Sequence, residues 1–203
     1  SGADVQQALP GPSAYREPAW AATLIGYLVR LEPEKNVDAL LRAFQDLDAP
    51  EDVRMLLVGS GSDRRRLARR FASDRVIFTG QVLDEAARID MLRAMDIFVL
   101  PSMVEGLSLS LLEAMACGVA AVATDVGSDG EALRGAGLVI DLKDLEGQLR
   151  LALRTLIDYP EFRAELGRRA RARALERYSL ANNLDQLLML YQELRPATGV
   201  AAS

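Results

Sequence analysis

Two carboxylates, Glu105 and Glu113, are separated by seven residues in the stretch Val-Glu-Gly-Leu-Ser-Leu-Ser-Leu-Leu-Glu-Ala-Met-Ala-Cys-Gly, from Val104 to Gly118. The apolar run Ile97–Leu100 before them, closed by Pro101 and Ser102, reads as a buried strand. Gly118 falls where a helix would end, at the position that accepts a left-handed residue. Glu105 is therefore expected in a strand-to-helix turn and Glu113 on the helix that follows. The turn residues Gly106, Leu107, Ser108 and Leu109 would leave N–H groups free at the helix N-terminus, a seat for an anion. An ionised carboxylate only accepts hydrogen bonds, so two of them beside an anion seat suit a ligand carrying both hydroxyls and phosphate. A nucleoside diphosphate sugar is such a ligand. Two plainer roles compete: Glu105 as a partner of the helix dipole and Glu113 as a solvated face residue. Against the second, Leu-Ser-Leu-Leu-Glu-Ala-Met-Ala is apolar nearly all round, which predicts burial. An acid there needs a partner or costs several kcal/mol.

A second pair, Arg30 and Lys35, lies in Val29-Arg30-Leu31-Glu32-Pro33-Glu34-Lys35-Asn36. A diphosphate carries about two negative charges near neutral pH, which a bidentate arginine and a mobile lysine would balance. The competing role is ordinary solvation at a strand end. Lysine is rare in this chain, at positions 35 and 143 only, which makes Lys35 the more telling of the two.

Holding these four residues together requires strands that end on one rim. Apolar runs alternate with helical patterns, the signature of a parallel sheet wrapped by helices. Strands are predicted at Thr23–Val29, Arg54–Val58, Val76–Thr79, Ile97–Leu100, Ala120–Thr124 and Leu138–Ile140. Helices are predicted at Val37–Leu47, Asp63–Ala72, Glu85–Met95, Leu109–Cys117 and Asp129–Leu133. Three more follow at Leu145–Tyr159, Pro160–Tyr178 and Ser179–Leu194. The fold class is thus α/β, a doubly wound, six-stranded parallel sheet with C-terminal helices, whose ligands bind beyond the carboxyl ends of the strands. Residues 1–22, with prolines at 10, 12 and 18, read as an irregular arm or linker. Residues 23–195 are expected to form the globular domain and 196–203 a disordered tail. Gly59-Ser60-Gly61-Ser62 lacks the third glycine of a dinucleotide fingerprint, since Arg64 stands there, so it reads as a turn with Ser62 as N-cap.

Composition removes several chemistries. With 203 residues and no histidine, His-dependent catalysis is excluded and a zinc site disfavoured. The single cysteine, Cys117, forms no internal disulfide and fits a reducing, cytoplasmic compartment. It reads as a core residue rather than a nucleophile. A net charge of −5 argues against a general nucleic-acid binder. The arginines at 64, 65, 66, 69 and 70 form the one basic patch, either a solvated helix face or a surface for anionic lipid. No apolar run reaches a membrane-spanning length, and Ser1-Gly2-Ala3-Asp4 does not open a secretory leader.

The Glu105-x7-Glu113 spacing, with Gly-Leu-Ser between and Glu-Ala-Met-Ala-Cys-Gly after, resembles the signature of the retaining GT-B glycosyltransferases, closest to glycosyltransferase family 4, also called group 1. Arg30-Leu31 and Glu34-Lys35 are similar to that family's Gly-Arg-Leu and Glu-Lys. The resemblance covers Thr23 to Leu194, the C-terminal, donor-binding half. It implies a Rossmann-like domain in which Arg30, Lys35 and the N–H groups of Leu107, Ser108 and Leu109 stabilise a departing nucleoside diphosphate. Glu105 would hold the donor sugar and Glu113 the ribose diol. Val82 would contact the base through main chain, with Asp84 either adding a contact or capping the next helix. The donor would be a UDP-, GDP- or ADP-sugar, with no metal, no other cofactor, and retention without a protein nucleophile. An acceptor-binding N-terminal domain would lie outside this chain, with peripheral membrane contact as an option for that domain. The chain is then one half of an enzyme, inactive alone. Two departures stand out: Val29 where the family has glycine, and Ala120 where it often has proline. Gly127-Ser128 resembles a family loop near the donor, with no role assigned. A non-catalytic sugar-nucleotide-binding or interaction module is the alternative, and a nucleotide-sugar epimerase a third reading.

Overall fold

The computed structural model describes residues 8–15 and 22–179. Six strands form one sheet: β1 (Thr23–Leu28), β2 (Val53–Val58), β3 (Val76–Gly80), β4 (Ile97–Leu100), β5 (Ala120–Thr124) and β6 (Leu138–Ile140). Their order is β3-β2-β1-β4-β5-β6 and every pairing is parallel. The order reverses direction between β1 and β4, so the crevice of such a sheet opens beyond the carboxyl ends of those two strands. The central strands are buried on both faces, which is why Ile-Phe-Val-Leu and Ala-Ala-Val-Ala-Thr run apolar without alternation. Among the described residues seven α-helices connect and cover them: α1 (Val37–Gln45), α2 (Arg64–Phe71), α3 (Glu85–Ala94), α4 (Leu109–Ala116), α5 (Asp129–Leu133), α6 (Leu145–Asp158) and α7 (Pro160–Arg177). α1 packs on α6, while α3, α4 and α7 form a contiguous layer.

The sheet is unevenly joined. β1 meets β2 over six register pairs, Thr23–Val53 to Leu28–Val58, and β4 meets β5 over four. β1 and β4 share only Ile25–Ile97 and Gly26–Phe98.

The boundaries follow the predicted ones within a residue or two. The basic helix α2 begins at Arg64 rather than Asp63, and Ser62 is not its cap: Asp63 occupies that position and the Ser62 hydroxyl donates instead to the Glu32 carboxylate. Arg66 pairs with Asp63 and with Asp38 of α1, at 2.9 and 2.8 Å, so part of the basic patch is neutralised within the protein. Residues 8–15 form neither helix nor strand. They lie along α3 and α7, with the Leu9 carbonyl accepting from Arg93 and that of Ala8 from Arg171. The rest of the arm, the predicted helix Ser179–Leu194 beyond its first residue, and the tail 196–203 fall outside the described residues. Among the described residues no helix is long and apolar enough to cross a membrane.

Candidate functional site

β1 leads through Val29 and Arg30 into a single 3-10 turn, Pro33–Lys35, absent from the sequence prediction. Pro33 presets its backbone, and Asn36 closes it in the left-handed region at φ 54°, a conformation asparagine tolerates. This turn aims Lys35 inward. Its ammonium donates to Glu105 Oε1 at 2.6 Å, and the two side chains are only 9% and 12% exposed. Ser102 Oγ donates to the same oxygen at 2.9 Å. The Met103 N–H donates to the Glu34 carbonyl at 2.8 Å, stapling the turn after β1 to the loop after β4.

Arg30 behaves differently. It is exposed, and among the described residues it has no ion-pair partner. Its backbone is nevertheless fixed. The hydroxyl of the fully buried Tyr27 donates to the Arg30 carbonyl at 2.6 Å, and burial with the nearby Glu105 and Glu34 pushes that phenol far above its usual range. From the other side, Leu31 N–H donates to Ser60 O and Asp63 N–H to Leu31 O. A Cβ at Gly59 or Gly61 would stand about 2.1 or 2.2 Å from the carbonyls of Val29 and Leu31. The Gly-x-Gly turn is therefore a sheath for the backbone that carries Arg30.

α4 carries the second acid. Ser108 caps it, its Oγ accepting from Leu111 N–H. Gly118 ends it at φ 78°, with Gly118 N–H donating to Met115 O and Val119 N–H to Ala114 O, a Schellman motif. Glu113 is buried, as the apolar surround requires, and its partner is Arg88 of α3: Nη2 donates to Oε1 at 2.8 Å. Burial raises the Glu113 carboxyl above its usual range, and Arg88 opposes that shift. Oε2 is buried with no partner among the described residues.

One part of the expected anion seat is already taken. The Ser108 N–H donates to Asp129 Oδ1 at 2.8 Å, because the loop after β5 packs against the Glu105–Ser108 turn. Ser128 N–H donates to Gly106 O, and Gly127, at φ 56°, passes so close that a Cβ would stand 2.2 Å from the Glu105 carbonyl oxygen. The N–H groups of Gly106, Leu107 and Leu109 have no protein partner among the described residues. Asp129 is wholly inaccessible, its Oδ2 unpartnered among the described residues, and burial pushes its carboxyl to about 6.

A hollow of about 240 Å³ opens beside Arg30, lined also by Ser60, Gln81, Val82, Arg88 and Ser110. Val82 is half-buried there. Asp84 is not at the hollow: it caps α3, accepting from Ala87 N–H at 2.7 Å. A larger hollow, about 460 Å³, lies between α1 and the start of α6 and touches none of Arg30, Lys35, Glu105 or Glu113. Among the described residues no cluster of three or more acidic or sulfur ligands forms a metal-like site.

Sequence reasoning missed Tyr27, Ser102, Arg88 and Asp129. Tyr27 and Ser102 act three residues away, inside the turns they support, whereas Arg88 and Asp129 act across gaps in sequence that only the topology closes. Asp129 had one available signal, its position directly after Gly127-Ser128.

Comparison with known proteins fits this geometry. The family model for group 1 glycosyl transferases matches residues 22–158. A GDP-mannose-dependent monoacylated alpha-(1-6)-phosphatidylinositol monomannoside mannosyltransferase of Corynebacterium glutamicum is 39% identical over 155 residues, 70% of this chain and 40% of that protein. A D-inositol 3-phosphate glycosyltransferase of Rhodococcus jostii is 32% identical over 94% of this chain and 46% of that protein. The chain thus spans less than half the length of these curated relatives. Among solved structures, Anabaena HepE in complex with UDP superposes with a TM-score of 0.82 at 23% identity, over 95% of this chain and 56% of that one. The C-terminal domain of the group 1 protein LpcC from Francisella tularensis superposes at 0.76 and 23% identity, over 88% of this chain and all of that one. The sheet is the Rossmann-like sheet of GT-B glycosyltransferases, and the chain belongs to the group 1 glycosyl transferase family.

Proposed function

We propose that this chain is the donor-binding half of a retaining glycosyltransferase that takes a sugar from a nucleoside diphosphate sugar. The observation that carries the reading is the 2.6 Å contact of Lys35 with Glu105 across the β1–β4 crevice, with the exposed Arg30 just past the end of β1. The relatives support a nucleotide-sugar donor, one being named for its dependence on GDP-mannose. Arg30 supplies free positive charge for the diphosphate. Lys35 gives one N–H to Glu105 and retains the others, and the N–H groups of Gly106, Leu107 and Leu109 complete the seat. Preorganised donors of this sort lower the barrier by ~3–4 kcal/mol each where charge develops on a leaving group. No metal is needed for that balance.

Glu105 uses Oε1 for Lys35 and Ser102, leaving Oε2 for sugar hydroxyls. Glu113 offers its orphaned Oε2 to the ribose diol, which would satisfy a buried acceptor at the moment of binding. Val82 borders the base end of the hollow. Asp84 serves α3 and not the donor. The domain spans 23–195, and the acceptor is held by an N-terminal domain outside this chain. The reaction is cytoplasmic in this reading, consistent with one unpaired, buried cysteine.

Calorimetric titration with UDP, GDP and ADP, without magnesium, tests the reading. At least one should bind, and Glu113→Ala should weaken it by about tenfold or more, the equivalent of one hydrogen bond to a charged group. Unchanged affinity in the variant, or no heat from any nucleotide, would sink the proposal.

A further inference from the structure

Three side chains facing the 240 Å³ hollow, Arg30, Gln81 and Arg88, offer it hydrogen-bond donors. Arg88 gives a single N–H to Glu113, and the rest of its planar fork has no protein partner among the described residues. Its side chain is 29% exposed, on a wall of the hollow rather than away in solvent. Gln81 uses its amide oxygen to accept from Ser60 Oγ at 3.2 Å, which leaves its amide NH2 as the group on offer. Arg30 adds a third donor at the phosphate end. Glu113 fixes the geometry of this wall, because its carboxylate, bonded to one N–H of Arg88, holds the fork in one orientation.

We infer that Arg88 is a specificity residue that selects guanine, so that the donor is a GDP-linked sugar. The inference rests on the nucleotide-sugar reading and adds the base to it. A guanidinium fork matches two adjacent acceptors, and guanine presents O6 and N7 side by side. Uracil has no such adjacent pair: its O2 and O4 are separated by the N3–H, which points a donor at the arginine. Adenine carries an amino donor where guanine carries O6, so it meets Arg88 and Gln81 donor to donor. The Arg88–Glu113 pair then links the two halves of nucleoside recognition: one charged bridge holds the diol acceptor and the base reader in a fixed relation.

The test titrates GDP, UDP and ADP into the 203-residue chain and into Arg88→Lys, which keeps a cation beside Glu113 but has no fork. The wild-type chain should bind GDP about tenfold or more tighter than ADP, and tighter than UDP; in the lysine variant GDP affinity falls by about tenfold while UDP and ADP change little. Equal affinity for the three nucleotides, or a preference for UDP or ADP, overturns the assignment on the wild-type data alone. So does a lysine variant that weakens all three by one factor, since that is the mark of a residue that only supports Glu113. In either case the nucleotide-sugar reading survives. If none of the three binds, that reading fails and takes this one with it.

Discussion

Removing one partner of the Lys35–Glu105 pair is the most informative perturbation. The two side chains lie 2.6 Å apart and about nine-tenths buried, with Ser102 the remaining donor to the carboxylate. In Lys35→Met the carboxylate loses its counter-ion while most of its surface stays covered. Breaking a buried pair this way costs roughly 3–5 kcal/mol, far more than the 0–1 kcal/mol of an exposed pair. For a domain of this size that lowers Tm by roughly 6–20 °C. Glu105→Gln should cost a similar amount, because it leaves the ammonium without its anion. The double variant removes both charges, so it should lose less than the sum of the singles. Urea unfolding of all four proteins gives the coupling directly, and we expect about 2 kcal/mol or more. Additivity within about 0.5 kcal/mol would show that the two groups do not share a site, and the argument for a joint sugar–diphosphate rim would go with it.

Three further outcomes follow from the same geometry. Asp129 has its carboxyl raised from 3.8 to about 6 by burial, so the folded state holds a proton that the unfolded chain releases between about pH 4 and 6. Stability from this group is present below pH 4 and is lost as pH rises to 6, by up to about 3 kcal/mol. Asp129→Asn keeps an oxygen for Ser108 N–H, so the difference in unfolding free energy between the two proteins should grow over that window; a constant difference would refute the burial argument. Gly127→Ala forces a Cβ to 2.2 Å from the Glu105 carbonyl oxygen at a positive φ. It should destabilise by roughly 1–3 kcal/mol and weaken nucleotide binding, both measurable on one purified variant. Cys117, buried at the C-terminal cap of α4 with its thiol pushed up to about 11, should react with a thiol reagent at pH 8 only after denaturation; fast labelling of the native protein would contradict that burial.

The fold was legible because its signals are local. Buried strands announced themselves as unbroken apolar runs, and Gly118 marked the end of α4 by the one conformation glycine adopts freely. Glu113 was legible as a buried acid that needed a partner, yet nothing near it in sequence named Arg88, twenty-five residues earlier on another helix. Ser62 failed as a cap because Glu32, thirty residues away, competes for its hydroxyl. The anion seat was overcounted for the same reason: the Ser108 N–H is satisfied by Asp129 at the start of α5, two elements on. Turn chemistry can be read in order along the chain. Partnerships between rims depend on which strands become neighbours, and that is decided by the whole sheet.

The narrow join between β1 and β4 gives the crevice a mechanical meaning. One block, β3-β2-β1, contributes Arg30 and Lys35; the other, β4-β5-β6, contributes Glu105, Asp129 and the start of α4. With two backbone register pairs between the blocks and two bonds between Leu24 and Asp96 at one end, the ion pair and the Met103–Glu34 bond rivet the other end of the seam. Separation of the blocks would open the crevice, so ligand affinity and the cohesion of the two blocks are thermodynamically linked. A nucleotide lying across the seam should therefore slow amide exchange in β1 and β4 together, as a clasp closed over both leaves.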